Sequence, residues 1–446
     1  MTVNYSIHGY GKTGVNFTLK SLGAPAARGH EDAVQRVLNK TIAVNEYEAL
    51  RGTVNAIAVS ERFNDVIKTF RTPEGELPAG FRVESYLEPD GLLLVDLVRD
   101  INYDKNGMKR PTKTIFSADS ANPYEVAPIS GLLGNLTCNP GIVYDLFINN
   151  PKANVGGKFK TLEEVMTELG RILGPGCDIS VELNNPFEED FNKILDECEK
   201  FKEILTQYRL VVKVPHMGPV NGNNVRELLT GDKKFSTRYD QPATEDAFRS
   251  HNLALRLREH GYRINYTLMF EPYQTALALQ AKPAFINSFV RHRMKQSEQM
   301  RNYLKFYEIS RDVKHLEDLR AFMMGADLLS AGEGGADLIK VKHFAEDLLK
   351  YRRFDEREGS DGLDSARHNL RLLKQNNLPD TRLIICSMEG PLNYPDIDKL
   401  AAEPEFADVI DRLVITAEPG YLARFTSSNH VVAYQRRFMN AVQCAK

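Results

Sequence analysis

The 446-residue chain predicts an α/β fold: a (β/α)8 TIM barrel with an N-terminal extension and helical insertions in the loops of its C-terminal face. Three observations carry this expectation. From residue 112 onward, short β-branched runs alternate with amphipathic helical segments, the pattern of a parallel sheet. There are eight such runs, the count of a closed barrel. Six successive runs also carry a polar residue near their C-terminal ends, where side chains would converge over a barrel mouth. An open doubly wound sheet is the structural alternative.

Residues 1–111 form the extension, of mixed α/β character: helical patterns at 31–38 and 62–70, strand-like runs at 81–87 and 91–98. Gly9-Tyr-Gly11-Lys-Thr-Gly14 matches GxGxxG after a strand-like run at 3–8. A dinucleotide fold needs a second strand soon afterwards that ends in an acidic residue. The Ala/Pro/Gly-rich 23–29 and then a helix follow instead, so a plain turn is expected.

Residues 112–446 supply the barrel, with strands expected at 114–118, 135–138, 179–183, 210–214, 264–270, 284–290, 383–387 and 413–416. Helices at 187–208, 244–260 and 363–377 place apolar residues three and four apart. Two stretches break the repeat, a Gly/Asn-rich loop at 216–242 and a longer insertion at 294–362. They follow strands four and six, hence rise from the C-terminal face, and the second is expected to act as a lid.

Composition narrows the function. Charged residues make up 26%, hydrophobic residues 42%, and the net charge is -3, which argues against a nucleic-acid or membrane surface as main partner. Neither a signal-peptide start nor a membrane-length apolar run is evident. The five cysteines are scattered without a CxxC, and the ten histidines form no HxxxH-type pair. A cytoplasmic protein with reduced thiols, no metal and no cofactor is expected.

The most informative residue is Lys213, centred in Leu210-Val-Val-Lys-Val-Pro215. Burial there disfavours the ammonium, so the expected pKa is depressed and the free amine can form Schiff bases. The competing reading is a snorkelling lysine or a buried ion pair. Neighbouring strands offer Asp119, Thr137 and Asn139, Glu182, Asn265 and Thr267, and Asn287 and Ser288. Lysine with two carboxylates and a threonine is the set that Schiff-base aldol chemistry requires.

Taken in order, Ile115-Phe-Ser-Ala-Asp-Ser-Ala-Asn122, Gly134-Asn-Leu-Thr-Cys-Asn-Pro140, Ile179-Ser-Val-Glu182, Val211-Val-Lys-Val-Pro215, Ile264-Asn-Tyr-Thr-Leu-Met-Phe270 and Phe285-Ile-Asn-Ser-Phe-Val290 resemble the strand motifs of the transaldolase family. The resemblance covers about 112–293 well and 363–425 loosely. It implies a class I aldolase barrel that moves a dihydroxyacetone unit, with Lys213 the Schiff-base nucleophile and Asp119 the acid/base for carbon–carbon cleavage. It implies that Glu182 and Thr267 hold a proton-shuttling water. Thr137, Asn139, Asn265 and Asn287 or Ser288 would line the substrate.

Two positions depart from the family. Its phosphate grip uses an Arg after strand six and a Ser and an Arg in strand seven. Here strand six runs into Arg291-His292-Arg293, with His292 at the Arg position, and strand seven keeps Ser387 but has Glu389 for the second Arg. A carboxylate beside a phosphate dianion repels it. Either Arg291 and Arg293 restore the charge while Glu389 pairs with one of them, or the substrate tail is not a phosphate. The expectation is a transaldolase-like aldolase or aldol transferase acting on small ketose and aldose substrates, on a non-standard tail, in specialised biosynthesis. The alternatives are an orthodox pentose-phosphate transaldolase and a non-catalytic scaffold. A homodimer is left open.

Overall fold

Eight parallel strands close into a barrel in the computed structural model, which describes residues 5–8, 12–15, 17–104, 108–216, 218, 220–238, 242–352, 361–386, 393–424 and 426–444. In chain order they are β1 (Ile115–Asp119), β2 (Leu133–Cys138), β3 (Asp178–Glu182), β4 (Leu210–Pro215), β5 (Ile264–Met269), β6 (Phe285–Phe289), β7 (Arg382–Cys386) and β8 (Leu413–Ala417). Each pairs with its neighbour in sequence, and β8 returns to β1, with Ile415 opposite Phe116. The closed sheet, with helices between strands, is the (β/α)8 architecture, and it excludes the open-sheet alternative.

The strands form where β-branched residues cluster, because both faces of a barrel strand are covered. β4 is buried from end to end. The helices that follow bury one stripe each; Phe191–Arg209 is capped by Asp190, whose side chain accepts from the Asn192 amide, and turns Ile194, Cys198, Phe201 and Leu205 inward.

One irregularity sits near the C-terminal end of β5. Leu268 has φ +58°, and the pairing with β6 shifts between Tyr266 and Met269. This is a bulge built on a non-glycine residue in the left-handed region, a costly conformation. It follows Thr267 directly.

Both insertions are present and touch each other. Among its described residues the segment after β4 holds the short turn Val225–Leu228. The one after β6 folds as three helices, His292–Ser310, Lys314–Gly325 and Leu338–Tyr351, around Met300, Leu316, Leu319, Met323 and Val341. Arg238 pairs with Glu333 and lies 4.1 Å over the Phe344 ring, Lys234 pairs with Asp327, and the Ala331 amide donates to the Phe235 carbonyl at 2.8 Å. The last helix, Asn429–Cys444, buries none of its side chains. Among the described residues no helix is long and apolar enough to cross a membrane.

Residues 1–112 with 173–178 form a unit of their own. Its sheet orders the strands Ala56–Val59, Leu92–Arg99 and Phe81–Leu87. The central strand buries Leu93, Val95 and Leu97 on alternate positions. Ser60 caps the helix Glu61–Thr69 by accepting from the Phe63 amide at 3.0 Å, and the helix buries Phe63 and Val66. Strands Tyr5–His8 and Lys12–Val15 pair antiparallel, His8 opposite Lys12. The end of the glycine segment, with Gly14, lies in the strand Lys12–Val15; residues 9–11, where the turn is expected, lie outside the described residues.

Candidate active site

Strand pairing decides which side chains meet. Glu182 on β3, Lys213 on β4 and Asn265 on β5 are register neighbours and form one row across the barrel wall. Lys213 is 4% exposed, and its Nζ lies 3.2 Å from Glu182 Oε2. On the other side, Asp119 and Thr137 are register partners of β1 and β2, and the Thr137 hydroxyl donates to Asp119 Oδ1 at 2.7 Å. The Asp119 charge also acts on Lys213.

The ionisation of Lys213 differs from the sequence expectation. Burial pulls its pKa down, as expected, but the carboxylates of Glu182 and then Asp119 pull it up more strongly. The amine is held above the ordinary lysine range, as an ion pair. Glu182 is shifted too: burial raises its carboxyl above the usual range, against the attraction of Lys213. Glu182 is the carboxylate nearest the lysine nitrogen. Cys138 and Cys386, both buried near this charge group, are pushed up to about 12, mainly by burial, and stay thiols.

A layer of polar side chains fills the barrel beneath. Thr416 Oγ1 donates to Ser117 Oγ at 3.0 Å, Asn135 Nδ2 to Ser117 Oγ at 2.9 Å, Ser180 Oγ to Asn135 Oδ1 at 3.4 Å and Asn265 Nδ2 to Ser180 Oγ at 3.0 Å. All five residues are buried. Ser117, Asn135 and Ser180 stand two residues before Asp119, Thr137 and Glu182, on the same strand face. Among the described residues Asn265 Oδ1 has no hydrogen-bond partner, and Asn287 Oδ1 is likewise buried without one. Orphaned buried acceptors are costly. Both are suited to receive substrate hydroxyl donors.

The other sequence candidates separate. Thr267 is buried next to the β5 bulge, in register with Pro215. Ser288 faces away from the lumen: its Oγ accepts from Asn369 Nδ2 at 3.1 Å, on the helix Asp364–Gln375, and Asn369 in turn accepts from Thr275. That corrects its assignment to the substrate, because adjacent strand residues point to opposite faces and Asn287 takes the inner one. Asn139 lies just past β2, and its Oδ1 accepts from the Ile142 amide at 2.9 Å, capping the turn that follows.

Arg291 and Arg293 are not free cations. Arg291 pairs with Asp396; Arg293 pairs with Asp364 and lies 3.5 Å from Glu271, which also pairs with Arg352 at 2.8 Å. His292 Nε2 is 3.2 Å from the Gln296 amide, and its ring packs 4.9 Å from Phe270. Ser387 and Glu389 lie outside the described residues.

Gln274 escaped the sequence reading. Its Oε1 accepts from the Phe270 and Glu271 amides, both at 2.8 Å, while Nε2 reaches the carbonyls of His216 at 3.3 Å and Leu268 at 3.2 Å. One amide thus ties the end of β4 to the bulge of β5. A glutamine in a loop-to-helix stretch carries no pattern that reveals such a role.

The set can capture a carbonyl on an amine and move protons around it. Among the described residues no cluster of His, Cys, Asp and Glu could hold a metal ion. No protein-family model matches the chain, and no curated protein matches it.

Proposed function

We propose that this protein is a class I aldolase or aldol transferase that forms a Schiff base at Lys213 and moves a dihydroxyacetone-type ketose unit. The observation that carries the reading is the buried Lys213–Glu182 pair at 3.2 Å, in a lumen that also holds Asp119 and two amide oxygens without a partner among the described residues. The transaldolase-like strand motifs point the same way.

Lys213 passes its proton to Glu182, and the neutral amine adds to the ketose carbonyl. The proton held on Glu182 and a second proton from the adduct nitrogen both pass to the carbinolamine oxygen, which leaves as water when the iminium forms. Asp119, oriented by Thr137, takes the proton of the hydroxyl on the far carbon of the bond to be broken. The bond electrons flow into the iminium, an aldehyde departs and an enamine remains on Lys213. The enamine then adds to an acceptor aldehyde, or is protonated and hydrolysed.

A non-phosphorylated tail fits this site better than a sugar phosphate, since Arg291 and Arg293 already face Asp396, Asp364 and Glu271. Specialised biosynthesis in the cytoplasm is the setting we assign, in line with the free, buried Cys138, Cys177, Cys198 and Cys386.

The test is borohydride trapping with dihydroxyacetone and with fructose, read by mass spectrometry on the Lys213 peptide. A ketose-dependent mass addition there, absent from Lys213→Met, is the expected result. Its absence with every ketose tried would favour the scaffold reading. Inorganic phosphate should compete poorly; strong competition would return the protein to the orthodox reading.

A further inference from the structure

We propose that the N-terminal unit carries a ligand site of its own, for a small organic anion, in the cleft beside the edge strand Phe81–Leu87. The cleft encloses about 670 Å³, within the roughly 300–1,000 Å³ of small-molecule sites. Its floor is apolar: Val37 and Phe81, each 1% exposed, with Leu77 beside them.

Two cations on its wall are held by neutral oxygens only. Arg36 Nη1 donates to the carbonyls of Pro73 at 2.5 Å and Glu76 at 2.8 Å. Lys40 Nζ donates to the Val83 carbonyl at 2.7 Å. Neither has a carboxylate at ion-pair distance among the described residues, whereas the third lining cation, Arg82, is matched by Glu84 and Asp100. Arg36 and Lys40 thus keep most of their N–H donors, of which guanidinium has five and ammonium three. Burial of Lys40 without a contact counter-charge pushes its pKa below the ordinary lysine range, although Glu46 and Glu84 act against this from a distance.

Two cations held by carbonyls and without a carboxylate in contact among the described residues, above an apolar floor, recognise a carboxylate or phosphate on a compact hydrophobic body, through charge-assisted hydrogen bonds. A peptide strand is disfavoured, because Lys40 already occupies the Val83 carbonyl of this edge strand. Among the described residues Glu76 is the one acidic residue on the lining, and it disfavours ligands that carry several negative groups.

The experiment is isothermal titration of the full chain with phenyl phosphate, benzoate and benzyl alcohol. It is run on Lys213→Met so that the barrel amine cannot contribute; the outcome is therefore independent of the aldolase reading. Saturable one-to-one binding of an anion is expected, with benzyl alcohol weaker by roughly tenfold or more. Lys40→Met and Arg36→Gln should each weaken the anion about tenfold, while Lys40→Arg retains it. Three results would each overturn the site: no saturable binding up to about 10 mM, equal binding of the alcohol, or anion affinity unchanged in Lys40→Met.

Discussion

Lys213 and Glu182 stand opposite each other on adjacent strands, the amine nitrogen 3.2 Å from the carboxylate oxygen, both withdrawn from solvent. The pair explains why burial fails to neutralise this lysine. It also offers a way to alter the proposed nucleophile's reactivity without replacing it.

Glu182→Gln removes the nearer negative charge and leaves the burial, so the Lys213 pKa should fall. Labelling by an amine-selective reagent, followed across pH on the Lys213 peptide, should begin at lower pH in the variant than in the parent. An unchanged profile would mean that Glu182 does not set the ionisation of the lysine. Ketose trapping should nevertheless slow by about 10²-fold or more, because the proton shuttle is lost.

Lys213→Met should abolish trapping and leave Glu182 buried without its cation. Removing one member of a buried pair costs about 3–5 kcal/mol when the other stays charged. The cost should shrink as pH falls below the raised Glu182 pKa, where the lone carboxyl is protonated. Urea midpoints of parent and variant, compared at acidic and at mildly alkaline pH, check the sign. A gap that widened on acidification would refute it.

Thr137→Val keeps the shape and deletes the hydrogen bond to Asp119. A bond to a charged acceptor is worth about 1.5–3 kcal/mol. The expected signature is selective: trapping at Lys213 persists while aldehyde release slows by about tenfold or more, as rapid-quench product analysis would register. Equal slowing of both steps would assign Thr137 to general packing.

Gln274→Leu should loosen the ends of β4 and β5 together, costing roughly 2–3 kcal/mol, since two backbone amides and two carbonyls lose their partner. Gln274→Glu preserves the acceptor to the Phe270 and Glu271 amides and should recover part of the stability. Thermal melts of the two variants would rank them; equal losses would deny the amide its clasping role.

Much of the barrel was legible in the sequence because buried parallel strands are β-branched runs, and all eight runs overlap a strand. The alternation that put Asp119, Thr137, Glu182 and Thr267 on one face needed only the two-residue period. Counting two residues back along the same strands would have added Ser117, Asn135 and Ser180, which join Thr416 and the already expected Asn265 in the polar layer. Ser288 was misassigned because two adjacent polar residues, Asn287 and Ser288, cannot both face the lumen, and local sequence does not say which does. The lysine pKa was misjudged for a different reason: burial is visible in a run of valines, but the carboxylate that outweighs it comes from another strand. The partners of Arg291 and Arg293 are just as remote, at Asp396, Asp364 and Glu271.

The ring of amides and hydroxyls from Thr416 through Ser117, Asn135 and Ser180 to Asn265 has a bearing on laboratory evolution. Aliphatic replacements of similar volume along that ring would harden the scaffold against heat, since well-packed hydrocarbon can match or exceed such networks. Selection for heat tolerance alone would then enrich changes there and yield sturdy barrels that have lost the proposed sugar site. Selecting for turnover at the same time would leave those positions untouched.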